Sequence, residues 1–310
     1  MAHRQLRVSC CALQAGWPLA SNLPHMQLIN EVTQRKLWSR LFQAVGKKMI
    51  IINIDYMGLG NRLKLLATYD WYWGLDDTTL LWNREGWVSC RLDDIIEIEG
   101  VRNWREHSVP LNRFLPPTMC SPEKPEFWPR GYWRFHVDEP LDPEFLITRR
   151  GKTFPAVDLI YERTPPQFIE RYRPFFARLK PTPAVAARIA EVDVGLQDVC
   201  VQIRNTVDPK DHARVPQLDE LVERLRAYPE RTRFFISALD SRFSRVLTDA
   251  LGERAFELPS KNYRSMIDAT ADMFLLGRGT ELLVSDGSTF GEVAWWLGGC
   301  QARVVRLQSS

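Results

Sequence analysis

The sequence has 310 residues, enough for two domains of ordinary size because single hydrophobic cores stop growing at roughly 250–300 residues. Hydrophobic residues make up 45% and charged residues 25% of the chain, a globular composition that excludes a largely disordered protein. The 41 basic residues nearly balance the 38 acidic ones, for a net charge of +3, which excludes a large basic face for nucleic acid. No apolar run reaches the roughly 20 residues that a membrane-spanning helix needs.

Cysteine usage indicates a reducing compartment and no bound metal. The six cysteines lack the C-x-x-C or Cys/His spacing of a zinc site: Cys10, Cys11, Cys90, Cys120, Cys200 and Cys300. We therefore expect free thiols, no metal, no resident cofactor and a cytoplasmic location. The apolar stretch near the first residues is too short and too interrupted for a typical signal peptide.

The first half of the chain predicts an extension followed by a lobe that opens on a buried strand. Residues 1–48 form the extension, where apolar residues at helical spacing between Met26 and Val45 predict one amphipathic helix. The run Met49-Ile-Ile-Ile-Asn-Ile-Asp55 predicts a buried strand, and a glycine turn then leads into a helix over 63–73. Short strands and loops are expected over 71–133, and the whole lobe is predicted to span 49–180.

The second half alternates strands with helices more regularly. Residues 165–192 predict two helices separated near Pro181 and Pro183, since proline breaks a helix interior, and this segment could form a hinge. A second lobe is predicted over 181–310. Its expected strands are 198–203, 233–238, 255–258, 281–286 and 303–306, with helices over 218–227, 241–251, 265–277 and 290–297. Such alternation predicts a doubly wound parallel sheet that binds ligands at the carboxyl ends of its strands.

The first candidate site lies in the turn after the buried strand. Gly58 and Gly60 lack side chains, so backbone N–H groups at the start of a helix could approach an anion. Asn61 and Arg62 add polar groups at the same helix start. A tight turn that needs glycine for its shape alone explains the same pattern, and that alternative stays open.

The second candidate site follows the strand that begins near Val199. Gln202 and Arg204 share one face of this strand by period-two alternation, and a guanidinium at its carboxyl end could bind a diphosphate through paired hydrogen bonds. The alternative is that Arg204 forms a structural ion pair with Asp208 or Asp211.

The third candidate site runs from Asp272 to Thr289. An amphipathic helix and a short apolar strand lead to Asp286-Gly-Ser-Thr289 and then to another helix. Ser288 and Thr289 could bind phosphate through hydroxyl, backbone N–H and helix dipole together. The alternative is that one of these hydroxyls simply caps the helix.

These three segments supply the groups that a metal-free diphosphate site needs. No Asp-x-Asp follows a strand end in the second half, so a divalent cation is not implied. The charge of a leaving diphosphate would then be met by arginine, hydroxyls and helix N-termini.

Taken together, the three segments resemble the motifs of the α1,2-, α1,6- and protein O-fucosyltransferase superfamily, which includes nodulation fucosyltransferases. The resemblance rests on Gly58-Leu-Gly-Asn-Arg-Leu63, on Val201-Gln-Ile-Arg-Asn-Thr206, and on Asp272-Met-Phe-Leu-Leu276 with Asp286-Gly-Ser-Thr-Phe290, in the family's order. It implies a GT-B fold, in which two Rossmann-like lobes with parallel sheets face a cleft. It also implies an inverting, metal-independent glycosyltransferase whose donor is GDP-fucose and whose acceptor is a hydroxyl of a glycan or another molecule.

The resemblance also implies roles for individual residues. Arg204 would bind the diphosphate and act in catalysis, and Asp272 would bind the guanosine part. Ser288, Thr289 and Phe290 would form the phosphate-side pocket, with Gly58 and Gly60 lining the cleft from the opposite lobe.

The strand motif departs from the family's pattern, His-x-Arg-Arg or His-x-Arg. Gln202 stands in place of the histidine and Asn205 in place of the second arginine. Losing one cation would weaken neutralisation of the diphosphate unless Arg62, Arg214 or Lys261 compensates. The departures leave two alternatives: an inactive binding or scaffold protein of the same fold, or a transferase that uses a different nucleotide sugar. The general base stays open among Asp55, Asp76 and Asp77, and no nucleic-acid partner is expected.

Overall fold

A computed structural model provides the structure of the protein. It describes residues 48–52, 58–82, 84, 87–103, 118–121, 126–127, 132–135, 154–157, 164, 166–204 and 217–307. These residues all belong to one unit that runs from Lys47 to Ser310. The helix predicted between Met26 and Val45 lies outside the described residues, and the domain boundaries predicted at 48 and 180 stay predictions.

The first half of the described chain is built on a five-stranded mixed sheet. Its strand order is β4-β2-β1-β5-β6, in which β1, β2 and β4 are parallel and β5 and β6 are antiparallel additions. The strands are β1 (Lys48–Ile52), β2 (Thr78–Trp82), β4 (Val101–Asn103), β5 (Thr118–Ser121) and β6 (Glu126–Phe127). The strand predicted over 49–55 is thus confirmed as a strand over its first four residues, and the sheet is parallel only in part.

Two small sheets and the first helices complete this half. Strand β3 (Ile96–Ile98) pairs antiparallel with β9 (Leu179–Pro181), and β7 (Tyr132–Phe135) pairs parallel with β8 (Phe154–Val157). The helices are α1 (Leu59–Trp73), α2 (Pro166–Ala177) and α3 (Pro183–Ala190). The prediction of two helices around Pro181 is confirmed, and β9 lies between them.

The second half is the alternating strand and helix pattern that the sequence predicts. The strands are β10 (Val199–Ile203), β11 (Phe234–Ala238), β12 (Ala255–Phe256), β13 (Glu281–Ser285) and β14 (Arg303–Leu307). The helices are α4 (Leu218–Arg226), α5 (Ser241–Leu251), α6 (Met266–Leu276) and α7 (Thr289–Leu297). All five strands are parallel in the order β12-β11-β10-β13-β14, so the doubly wound parallel sheet is confirmed.

Alternation along the strands divides the core of this sheet between two layers. Val199, Val201 and Ile203 point into one cluster, which includes buried residues of α4 and α5. Cys200 points the other way, into the cluster that contains residues of α6 and α7. Helices therefore cover both faces of the sheet, which is why its strands are mostly apolar.

Aromatic residues join the two halves. Phe176 of α2 stacks on Trp296 of α7 with ring centroids 5.5 Å apart, and Tyr172 lies 5.7 Å from the same indole. One continuous cluster of buried side chains runs from Leu59 to Val304 and crosses the predicted lobe boundary. Within the described parts of the chain, no helix has the length and apolar character that crossing a membrane requires.

Candidate functional site

The strand order of the C-terminal sheet reverses between β10 and β13. The chain moves outward from β10 to β11 and β12, returns across the sheet, and then continues to β13 and β14. In an open parallel sheet, the carboxyl ends of the strands on either side of such a reversal diverge and leave a crevice for ligands. The residues at this point are Arg204 after β10 and the turn Asp286-Gly287-Ser288 after β13.

Arg204 is held at the reversal by two hydrogen bonds to the strand-to-helix segment opposite. Its backbone N–H donates to Oγ of Ser285 at 2.8 Å, and its Nη1 donates to the carbonyl of Gly287 at 3.1 Å. The guanidinium therefore lies beside the turn that begins α7, which joins the second and third candidate segments. Asp208 and Asp211 lie outside the described residues, so the alternative ion pair is untested.

The N-terminus of α7 is capped by Ser288. Its Oγ accepts a hydrogen bond from the Gly291 N–H at 3.3 Å, so the capping interpretation of this hydroxyl is correct. Thr289 and Phe290 are the first two helical residues and are half-buried. Backbone N–H groups in a first turn have no acceptor within the helix, so this end remains suited to an anion.

The glycine turn packs directly against the N-terminus of α7. Helix α1 begins at Leu59 rather than at the predicted Leu63, so Gly60 lies inside its first turn. A Cβ on Gly60 would lie 2.7 Å from the Thr289 carbonyl oxygen, whereas one on Gly58 would meet nothing within 4 Å. Gly60 is therefore needed for a helix-to-helix contact, and that contact brings two positive helix ends together.

Asn61 and Arg62, the polar residues that follow Gly60, differ in how far they are exposed to solvent. Arg62 is fully buried, and its backbone N–H donates to the Gly58 carbonyl at 3.1 Å. Asn61 is partly exposed, and its Oδ1 is buried without a hydrogen-bond donor among the described residues. The buried position of Arg62 means that it could not act as a surface cation for a diphosphate without a rearrangement.

Gln202 points toward the first turn of α7. It pairs in register with Val284 of β13 and is buried, and its Oε1 lies 3.3 Å from where a Cβ on Gly291 would be. This Oε1 accepts no hydrogen bond from any residue that the structure describes. Gln202 and Arg204 thus border the same helix end.

Asp272 forms a buried polar cluster at the neighbouring strand end. Its Oδ2 accepts hydrogen bonds from Lys261 Nζ at 2.6 Å and from Ser237 Oγ at 2.7 Å, and Lys261 also donates to the Ala238 carbonyl at 3.0 Å. Burial raises the pKa of Asp272 above its usual range, although Lys261 opposes this shift. Ser237 is the register partner of Gln202, so the cluster adjoins the reversal.

The second carboxylate oxygen of Asp272 makes no hydrogen bond to the described residues. Oδ1 is buried and has no hydrogen-bond donor within the described part of the chain. Lys261, which the sequence suggested as a substitute for the missing arginine, is instead engaged by Asp272.

The sequence interpretation missed a buried ion pair behind the two helix ends. Nζ of Lys64 in α1 lies 2.5 Å from Oε2 of Glu292 in α7, and Oε1 of Glu292 accepts from the Trp296 indole N–H at 3.2 Å. The available signal was Lys64 within the apolar run from Leu63 to Ala67, and Glu292 as the one charged residue of α7. Such residues are almost never fully buried unless they are paired.

Two of the three candidates for a general base, Asp76 and Asp77, are not at this edge. Asp76 and Asp77 immediately precede β2, so they lie at the amino end of that parallel strand, away from the start of α1. Both are exposed, and Asp76 Oδ1 lies 3.7 Å from Arg178 Nη2. Asp55 lies outside the described residues.

The described residues offer neither a grouped set of metal ligands nor a reactive thiol. No three His, Cys, Asp or Glu side chains in this part of the chain are placed so that they could hold a metal ion. Cys90, Cys200 and Cys300 are thiols, and burial raises the pKa of each to about 12. These three thiols therefore stay protonated near neutral pH.

Comparison with known proteins finds matches among solved structures. No protein-family model and no curated protein matches the chain. The chain is similar to NodZ, a fucosyltransferase. The Bradyrhizobium NodZ structure is 18% identical, with a TM-score of 0.47, over 80% of this chain and 92% of NodZ.

Two further solved structures match the chain over a similar share of its length. A mutant of Arabidopsis thaliana FUT1 in complex with GDP is 17% identical, with a TM-score of 0.49, over 85% of this chain and 71% of FUT1. POFUT1 in complex with GDP-fucose is 10% identical, with a TM-score of 0.46, over 84% of this chain and 97% of POFUT1. These values describe a likeness between chains and assign no activity to this one.

Proposed function

We propose that the chain is a glycosyltransferase that transfers a sugar from a nucleoside diphosphate donor to a hydroxyl acceptor. The observation that carries the proposal is that Arg204 and the N-terminus of α1 both contact the start of α7, where the strand order reverses. A guanidinium and helix N-termini are the protein groups that bind diphosphates in the absence of a metal.

GDP-fucose is the donor that we propose, on the resemblance of the three sequence motifs. Arg204 would bind the diphosphate, with the Ser288, Thr289 and Phe290 turn around the phosphates. Asp272 would receive the guanine base, and its Oδ1, which lacks a donor among the described residues, supports that role.

The reaction would be a single displacement with inversion at the anomeric carbon. An acceptor oxygen forms a bond to that carbon while the bond from the carbon to the diphosphate oxygen breaks, and the diphosphate leaves with the electron pair. Arg204 and the N-terminus of α7 would stabilise the charge on the leaving group without a metal ion. The acceptor's proton passes to a base, for which Asp55 stays a candidate.

A non-catalytic nucleotide-binding protein is the second candidate. Gln202 and Asn205 replace two charged residues of the related motif, and the two described cations considered as substitutes are not freely placed. Arg62 is fully buried and Lys261 is paired with Asp272, which would weaken neutralisation of a leaving diphosphate. A donor with another sugar or base is a further alternative.

Calorimetric titration in EDTA tests these candidates. The purified chain is titrated with GDP, GDP-fucose, GDP-mannose and UDP-glucose, beside Arg204→Ala and the control Arg303→Ala. Arg303 starts β14 at the opposite edge of the sheet and is 71% exposed, so its removal should leave binding unchanged. We expect selective binding of GDP-fucose that Arg204→Ala abolishes.

The outcomes separate the alternatives. Binding of GDP-mannose or a UDP sugar instead would overturn the donor, and binding that needs added Mg²⁺ would overturn metal independence. GDP-fucose binding without sugar transfer to any of a panel of glycan acceptors would favour the non-catalytic protein. A chain that binds no nucleotide at all refutes the proposal.

A further inference from the structure

The Lys64–Glu292 pair is buried in the contact between α1 and α7. The Lys64 side chain is 1% exposed and that of Glu292 is 4% exposed, at a separation of 2.5 Å. Removing two charges from water is costly and is often not repaid in stability. Stability alone therefore does not explain why a buried ion pair lies in the contact between α1 and α7.

Glu292 lies within the first turn of α7. It is the fourth residue of the helix, and its backbone N–H donates to the Ser288 carbonyl at 3.1 Å. At 1.5 Å rise per residue, its Cα is roughly 5 Å along the axis from Thr289. A carboxylate there is favourable for the helix by itself but opposes any anion bound at the same N-terminus.

Lys64, in the first half of the chain, provides the positive charge that compensates the Glu292 carboxylate. It lies one turn after Gly60, which packs against the backbone of Thr289. The same docking of α1 that brings the two helix ends together thus also places an ammonium on the Glu292 carboxylate.

We infer that Lys64 is a positioning residue of the anion site: it neutralises Glu292, so that the N-terminus of α7 can bind a diphosphate only while α1 is docked against it. The inference rests on the proposed function for the identity of the anion. It assigns to the first half of the chain a part in donor binding that involves no contact with the donor.

A different result is expected if the role of the Lys64–Glu292 pair is purely structural. If the pair only holds α1 against α7, removing either charge should weaken anion binding. If Lys64 acts by compensation, Lys64→Met should weaken binding and Glu292→Gln should strengthen it. The Lys64→Met/Glu292→Gln double variant should bind about as the wild type does. A unit charge roughly 8–10 Å from a unit charge on the anion, at an effective dielectric constant near 20, changes affinity by about tenfold or more.

The experiment uses calorimetry to measure binding of GDP and of inorganic pyrophosphate. The proteins compared are the wild type, the two single variants and the double variant. Asp198→Asn is the control: Asp198 is a buried carboxylate 2.6 Å from Arg233, at the amino edge of the sheet. We expect about tenfold weaker binding for Lys64→Met, severalfold tighter binding for Glu292→Gln, and no change for the control. Thermal unfolding without ligand reports stability separately.

Opposite signs for the two single variants support the inference, and a loss in both overturns it. If Lys64→Met does not fold, the sign for Glu292→Gln and the affinity of the double variant still decide. If the wild type binds pyrophosphate but no nucleotide, the proposed function fails and the pyrophosphate data still test the pair. If the wild type binds neither ligand, both the proposed function and the inference about Lys64 fail.

Discussion

At the scale of single residues, burial decides what an ion pair contributes. Lys261–Asp272 and Arg303–Glu281 have nearly the same separation, 2.6 Å and 2.7 Å. The first pair is almost entirely buried, with side chains 4% and 3% exposed, whereas Arg303 is 71% exposed. Water screens the second pair, so its contribution to stability should be small.

Lys261→Met should lower the free energy of unfolding by about 3–5 kcal/mol, because it leaves a buried carboxylate without its cation. Arg303→Met, the matched control, should cost far less, because water screens the exposed guanidinium. Urea denaturation at neutral pH measures both. Equal losses in the two variants would contradict the prediction.

The loss caused by Lys261→Met should shrink as the pH falls. Burial raises the pKa of Asp272 in the folded protein, so the folded state binds a proton more readily than the unfolded state. The penalty for an ionised Asp272 is present above that pKa and disappears below it. Repeating the urea series in acid therefore checks the sign.

At the scale of helices, the α1–α7 contact depends on one missing side chain. Gly60 and Gly58 are two residues apart, yet only Gly60 faces backbone atoms within 3 Å of a Cβ position. Gly58 has φ −68° and ψ 167°, which any residue adopts. The pattern Gly-x-Gly therefore combines one position that needs glycine with one that does not need it for shape.

Gly60→Ala should lower the free energy of unfolding by about 1–3 kcal/mol, because a Cβ 2.7 Å from the Thr289 carbonyl oxygen forces α1 away from α7. Alanine's higher helix propensity, worth about 1 kcal/mol, offsets part of this loss. Gly58→Ala should stay within about 0.5 kcal/mol of the wild type. Thermal denaturation compares the three proteins, and GDP titration should show weaker binding for Gly60→Ala alone. A harmless Gly60→Ala would show that the contact is not tight in solution.

At the scale of the whole molecule, α2 and α7 make the two halves share a core. Trp296 is 1% exposed and contacts Tyr172 and Phe176 of α2, besides donating to Glu292. Phe234 is equally buried but belongs to the cluster on the other face of the C-terminal sheet. Loss of either side chain should destabilise the protein. Loss of Trp296 should affect both halves, whereas loss of Phe234 should affect mainly the second half.

Trp296→Ala should cost about 3–5 kcal/mol and lower hydrogen-exchange protection in both β1 and β10. Phe234→Ala should cost a similar amount but lower protection in β10 more than in β1. Hydrogen exchange followed by mass spectrometry under native conditions separates the two patterns. Unchanged protection of β1 in Trp296→Ala would mean that the halves unfold independently.

The elements of the second half could be predicted from sequence, and much of the candidate site with them. Helix α5 was predicted residue for residue, and strands β10, β11, β13 and β14 within one residue at each end, because apolar periodicity and turn residues are local signals. The same local signals located Arg204 and Ser288, since the carboxyl end of a strand and the start of a helix can be read from neighbouring residues. The start of α1 was predicted late, because Gly58 and Gly60 indicated a turn.

How these groups are used depends on tertiary packing. Lys64 and Glu292 are 228 positions apart, and no local pattern pairs them. The need for glycine at position 60, the burial of Arg62 and the engagement of Lys261 by Asp272 likewise depend on which surfaces pack together. The strands and helices of the second half, and the polar residues at their ends, can be predicted from sequence because they follow from neighbours along the chain. The partners and the charge balance of the site follow from long-range packing, which brings together residues that no short window contains.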